Sequence, residues 1–232
     1  MQWITFTTAL LSFAFSAYAL RIFIIKKENC LLMWFTGLLF YGLASCTEFI
    51  IESGGISLLV YRLWYLTGAI FSATFLAMGA LYCMVPRKIA FPLLLAFTVA
   101  SIYACIIVFM VPVDISGMQG LSSRPLPLQV RILSPFFNIA AGLIMLSAIF
   151  YGLYSLVKKK STTLRGVSLI LVGVGMILPA IGGTYFRLGM QSSIYIYVMD
   201  LMGLIVLYVG ILIGHVINDI GSPGREQEKL LP

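Results

Sequence analysis

Acidic residues that could bind a cation or serve as acid and base occur close together in one segment of this chain. Glu48 and Glu52 are four residues apart, so a helix places both carboxylates on one face. Two like charges repel at that spacing, so either a cation lies between them or Glu48, the deeper of the two, is partly protonated. Arg62 is the nearest candidate cation in sequence. The pair therefore predicts either a clamp on the following turn or a ligand or ion site.

A third acidic residue, Asp200, lies inside an apolar stretch near the end of the chain. At about 1.5 Å per residue it is about 9 Å below the start of its segment, where an unpaired charge is costly. We expect Asp200 to pair with Arg187, and Glu48 or Glu52 to pair with Arg62. Asn138 has two readings, an interhelical tie or a ligand contact. The candidate ligand-binding residues are Glu48, Glu52, Arg62, Trp64, Tyr65, Arg131, Asn138, Arg187 and Asp200.

The segments that must position these residues are strongly apolar. Of 232 residues, 61% are apolar and only 10% are charged, and the mean hydropathy is +1.04, which is typical of an integral membrane protein. Backbone groups in lipid must bond internally, and runs of about 20 apolar residues indicate helices. We predict an all-α bundle over residues 1–220 and a short disordered cytoplasmic tail at 221–232. Its seven membrane helices are expected near 3–25, 31–51, 58–84, 89–111, 132–156, 165–187 and 194–216.

Basic residues indicate the orientation of this bundle. Eleven of the 15 lysines and arginines fall on one side, and the other four are Arg62, Arg124, Arg131 and Arg187. Basic loops resist translocation, so the N-terminus is predicted outside and the C-terminus in the cytoplasm. The net charge of +7 then reflects topology and attraction to anionic lipid headgroups, with no nucleic acid as a partner. The predicted location is the inner (cytoplasmic) membrane of a bacterial or archaeal cell.

Residue content argues against several membrane activities. No lysine lies inside a predicted helix, as a retinal pigment needs, and the single histidine, His215, cannot supply the ligand set of a zinc hydrolase. No nucleophile elbow or phosphate loop is present. We predict no metal, no cofactor and no catalytic residue. The loop Pro112 to Arg131 is longer than a connection requires, and we expect it to lie over the bundle as a lid.

Part of the chain resembles a known membrane module. Over about residues 10 to 85, Trp34, Ala44, Glu48 and the run 61–68 resemble the seven-helix module at the N-terminus of some bacterial sensor histidine kinases. The segments 133–138 and 178–183 are similar to free-standing bacterial seven-helix proteins of no assigned activity. The resemblance implies sensing of a small or lipid-like signal at the outer side. The chain departs from the kinase pattern in having no kinase or cyclase domain, so the resemblance does not indicate an output.

These observations predict a multi-pass membrane protein of receptor-like or accessory type. It is expected to bind a small amphiphile or anion in a polar pocket of its outer half, through Arg62 and Arg187 positioned by Glu48 and Asp200. Two alternatives stay open: a membrane enzyme acting on a lipid or isoprenoid substrate, with Glu48 or Asp200 as acid or base, and a structural subunit of a membrane complex. The candidate partners are the lipid bilayer, a small-molecule or lipid ligand, another membrane protein and a second copy of the chain.

Overall fold

All of the secondary structure in the described part of the chain is helical. The computed structural model describes residues 2–116, 125–158, 163–187 and 194–220, with the backbone alone at 155, 163, 165, 183–187 and 215–220. The predicted tail at 221–232 lies outside the described residues. The helices are α1 (Gln2–Lys26), α2 (Asn29–Glu52), α3 (Leu58–Met84), α4 (Arg87–Met110), α5 (Leu133–Lys158), α6 (Thr163–Arg187) and α7 (Ile194–Ile220), with a single turn at Leu128–Arg131 before α5.

Most of these helices have the length and composition of membrane-spanning helices. Six of them contain an apolar stretch long enough to cross a bilayer, and the described apolar part of α6, Gly166–Gly182, is shorter. The prediction of an all-α chain with several apolar helices of spanning length is therefore confirmed for the described residues. The apolar helices are consistent with a multi-pass membrane protein.

Six of the helices form a closed ring. Neighbours around the ring are α1, α2, α3, α5, α6 and α7, and α7 packs back against α1. The principal contacts of α4 are with α3 and the turn Leu128–Arg131, so α4 lies outside the ring. Short turns join α1 to α2 and α2 to α3, and a turn of a few residues leaves consecutive helices antiparallel and adjacent. We call the end of the bundle where α2 finishes the Glu52 end.

Local sequence explains the turn between α2 and α3. Gly54 has a φ of +86°, a left-handed conformation that glycine adopts without strain. Ser57 then begins α3, since its hydroxyl accepts the backbone N–H of Val60 at 3.3 Å. The turn returns the chain directly beside α2 and places the first residues of α3 next to Glu48 and Glu52.

A π-helical turn at Thr67–Phe71 interrupts α3. The wider turn disturbs the regular backbone ladder, and side chains bond the affected carbonyl oxygens. The Ser72 hydroxyl donates to the Gly68 oxygen at 3.1 Å, and the Asn138 amide donates from α5 to the Ala69 oxygen at 2.8 Å. Since free carbonyls are costly in lipid, these bonds make the turn tolerable there. The turn divides α3 into a first half, Leu58–Leu66, and a second half, Ser72–Met84.

Glycines bring α6 and α7 into close contact. A Cβ added at Gly203 would lie 2.6 Å from the Gly175 carbonyl oxygen and from the Pro179 ring, and one at Gly210 would lie 2.8 Å from the Val172 nitrogen. Small residues at such positions allow backbones to approach. The glycines of α7 are therefore used in packing within the chain.

Candidate functional site

The two carboxylates of α2 bond to aromatic side chains of neighbouring helices. Trp64 of α3 donates its indole N–H to Glu48 Oε1 at 3.2 Å, and the Tyr197 hydroxyl of α7 donates to Glu52 Oε1 at 2.6 Å. Tyr197 is 1% exposed. Each carboxylate thus accepts a hydrogen bond from a neutral donor on a different helix.

Asp200 of α7 lies beside this pair. The Tyr41 hydroxyl of α2 donates to the main-chain oxygen of Asp200 at 3.0 Å and also interacts with its carboxyl group, which lies within electrostatic range of the Glu48 carboxyl group. Glu48 and Asp200 are both half-buried. We call Glu48, Glu52 and Asp200 the acidic cluster.

Helical spacing accounts for this arrangement. Tyr41 precedes Glu48 by seven residues and Tyr197 precedes Asp200 by three, so each tyrosine shares a helix face with a carboxylate. In the ring α2 and α7 flank α1, and the bond from Tyr41 to Asp200 connects them. Neither tyrosine is among the site residues predicted from the sequence. The shared face was visible in the spacing, but the pairing of α2 with α7 was not.

The acidic cluster has apolar surroundings towards the Glu52 end. Ile51 and Tyr197 are buried there, at 2% and 1% exposure, and the partly buried side chains packed on them are Ile4, Ile56, Val60, Trp64 and Ile196. Four helices and the turn between α2 and α3 contribute to this apolar cover. Apolar side chains therefore lie beside the carboxylates.

The expected ion pairs with Arg62 are not formed among the described residues. Arg62 instead donates from Nη2 to the Val111 carbonyl oxygen at 2.8 Å and lies over the Phe109 ring, with its guanidinium carbon 5.6 Å from the ring centroid. Successive residues of an α-helix are turned by about 100°, so Arg62 and Trp64 point about 160° apart. Trp64 faces Glu48, and this directs Arg62 towards the end of α4. The prediction of a glutamate–Arg62 pair was wrong for this reason.

Other predicted site residues also lie on the α4 and α5 side of α3. Tyr65 donates its hydroxyl to the Val130 carbonyl oxygen at 2.7 Å, and Arg131 is exposed at the end of its short turn. Asn138 makes the interhelical tie described above, so that reading of it is confirmed. The eight candidates whose side chains are described are therefore not gathered in one pocket: Glu48, Glu52, Trp64 and Asp200 lie near one another, whereas Arg62, Tyr65, Arg131 and Asn138 lie across α3 from them.

Two predictions fall partly on undescribed residues. α6 ends at Arg187, but its side chain lies outside the described set, so the pair with Asp200 stays a prediction. The centre of the expected lid, 117–124, is also outside it. The described ends of that loop pack against the α4 and α5 side, where Leu126 is 2% exposed and Val113 is partly buried.

The start of the loop has its own hydrogen-bonded turn. The Ser116 amide donates to Asp114 Oδ1 at 2.8 Å, and its hydroxyl donates to the same oxygen. These bonds hold the pKa of Asp114 below its usual value. The carboxylate is exposed and lies outside the membrane-spanning helices.

The acidic cluster can accept a cation or hold a proton. No described lysine or arginine pairs with its carboxylates, and no group of three or more described His, Cys, Asp or Glu residues could hold a metal ion. Aromatic rings beside carboxylates form a favourable environment for an organic ammonium group. In comparisons with protein-family models, curated proteins and solved structures, the chain shows no match.

Proposed function

We propose that this chain is a seven-helix membrane protein of receptor-like or accessory type that binds a small cationic amphiphile at the acidic cluster. In this proposal the N-terminus and the Glu52 end face outward and the basic end faces the cytoplasm of a bacterial cell. The eleven-to-four distribution of basic residues supports that orientation. The resemblance to the sensor-kinase membrane module supports a sensing role without a kinase output.

One observation carries the choice of a cationic ligand. Three carboxyl groups lie near one another in an apolar bundle, and their described partners are neutral hydroxyl and indole groups. An ionised carboxylate in a membrane helix requires a compensating charge, or it is protonated. A ligand ammonium group supplies that charge and replaces the proton. An anion would meet repulsion from the same three groups.

The apolar cover over the cluster supports an amphiphile rather than a small hydrophilic cation. Ile51 and the side chains packed on it offer an apolar surface directly beside Glu52 and Tyr197. A ligand with a charged head and an alkyl chain satisfies both surfaces, because the head pairs with carboxylates while the chain buries apolar area. The Arg62 guanidinium bonds Val111 through Nη2 and lies over the Phe109 ring, so it does not supply the compensating charge for the carboxylates.

A binding measurement tests the proposal. The protein in lipid nanodiscs is titrated with dodecylamine and with 1-dodecanol, which share the alkyl chain and differ in the head group. We expect saturable binding of the amine alone, weakened about tenfold or more by Asp200→Asn, since a charged hydrogen bond contributes about 1.5–3 kcal/mol. Asp114→Asn removes the same charge from an exposed loop and is the matched control. Equal binding of amine and alcohol, or equal loss in both variants, would contradict the proposal.

A further inference from the structure

The first half of α3 contacts two separate regions. On one side, Trp64 bonds Glu48 of the acidic cluster at 3.2 Å. On the other, Arg62 bonds the Val111 oxygen at the end of α4 at 2.8 Å, and Tyr65 bonds the Val130 oxygen before α5 at 2.7 Å. These three side chains lie within one turn of the same short helix, so they move together when that helix moves.

The π-turn lies directly below this segment. Thr67–Phe71 follows Leu58–Leu66 without a break, and a π-turn inside an α-helix is a site where the backbone ladder is disturbed and kinks occur. The two halves of α3 pack in different core clusters: Leu76, Ala77 and Ala80 of the second half pack in the central cluster, whereas the buried Tyr61, Tyr65 and Leu66 of the first half pack with α4 and the turn before α5. The π-turn therefore lies between two parts of α3 that belong to different packing units, and the first half packs with the end of α4.

Helix α4, which lies on the other side of α3 from the acidic cluster, makes few contacts with the rest of the bundle. α4 lies outside the six-helix ring, and its principal contacts are with α3 and one short turn. The Arg62 bond satisfies the carbonyl of Val111, at the end of α4, where the helix itself supplies no further donor. A shift of Arg62 therefore acts directly on the end of α4.

We propose that the first half of α3 couples the acidic cluster to the end of α4. A ligand that takes the Glu48 carboxylate from Trp64 releases the first half of α3 to turn about the π-turn, and Arg62 then loosens its hold on Val111. The ligand-driven form of this coupling rests on the proposed function. The mechanical link itself does not, because a substitution can break the bond between Trp64 and Glu48 without any ligand.

Hydrogen–deuterium exchange on the full-length protein in nanodiscs, without ligand, tests the link. Trp64→Phe removes the indole donor, and we expect several-fold faster exchange in peptides spanning 108–116. Trp3→Phe is the matched control, since Trp3 is 78% exposed and should leave that rate unchanged. Arg62→Gln should speed exchange in the same peptides, and adding Trp64→Phe to it should have no further effect. Peptides from the interface of α6 and α7 should keep their wild-type rates in every variant.

Two results would overturn the coupling. The first is that peptides 108–116 exchange at the wild-type rate in Trp64→Phe although they exchange faster in Arg62→Gln. The second is that the two substitutions together speed exchange by the sum of their separate effects. Should Trp64→Phe fold poorly, Glu48→Leu removes the acceptor from the other helix and must give the same pattern. This experiment contains no ligand, so its outcome is independent of the dodecylamine titration. Failure of the coupling and failure of the proposed function can therefore be distinguished.

Discussion

Trp64 donates its indole N–H to Glu48 across 3.2 Å and thereby joins α3 to α2 within the acidic cluster. The bond is between a neutral donor and a carboxyl group that has no described cationic partner. A second neutral donor, the Tyr197 hydroxyl, bonds Glu52 in the same way. The cluster is thus held by aromatic side chains, and in the proposed function a ligand cation competes with them for the carboxylates.

Replacing Asn138 by leucine should destabilise the bundle. The Asn138 amide donates to the Ala69 oxygen in the π-turn, and interhelical hydrogen bonds in membrane proteins contribute about 0.6–2 kcal/mol. We expect a loss of that size in the free energy of unfolding, measured in mixed micelles. Ser147→Ala is the control on the same helix, because the Ser147 hydroxyl is exposed and bonds only to Leu143 of α5. Equal stability of the two variants would show that the tie contributes nothing.

Alanine at Gly203 should force α6 and α7 apart. Its Cβ would lie 2.6 Å from the Gly175 oxygen, and overpacking of this kind costs about 1–3 kcal/mol. Gly142→Ala should be neutral or stabilising, since nothing lies within 4 Å of an added Cβ there and alanine favours a helix by up to about 1 kcal/mol over glycine. Thermal unfolding of both variants checks the contrast. Equal stability of Gly203→Ala and Gly142→Ala would contradict the close packing of α6 on α7.

Removing the Tyr197 hydroxyl should weaken the Glu52 end of the bundle. Tyr197→Phe keeps the buried ring and loses the 2.6 Å bond to Glu52, which contributes about 1.5–3 kcal/mol if the carboxylate is charged. Tyr195→Phe makes the same chemical change two residues away on a side chain that is 49% exposed, and should have little effect. Chemical denaturation of the two proteins provides the comparison. A larger loss in Tyr195→Phe would be incompatible with the geometry described.

The helices could be predicted from the sequence more completely than the site could. Apolar run length and the short turns determine where α2 and α3 begin and end, and the span expected at 58–84 is the one observed, Leu58–Met84. The pairing of charged residues depended on helix rotation. Arg62 and Trp64 are two positions apart, so only one of them can face Glu48, and the sequence offered no means of choosing the tryptophan.

Two further features could be identified only from the three-dimensional structure. The π-turn in α3 depends on side-chain bonds from Ser72 and from Asn138 of another helix, which no local pattern indicates. Tyr41 and Asp200 are 159 residues apart and meet because the ring places α2 and α7 on either side of α1. Single-sequence periodicity describes each helix separately and does not report which helices become neighbours.

A high-resolution structure of the protein in lipid with bound dodecylamine tests the central claim most directly. We expect density for the ammonium group within hydrogen-bonding distance of Glu48 or Asp200, with the alkyl chain along Ile51 and the bond from Trp64 to Glu48 lengthened or broken. Carboxylates still bonded only to Trp64, Tyr41 and Tyr197, with the amine elsewhere in the bilayer, would contradict it. In that case the acidic cluster would serve only to join α2, α3 and α7.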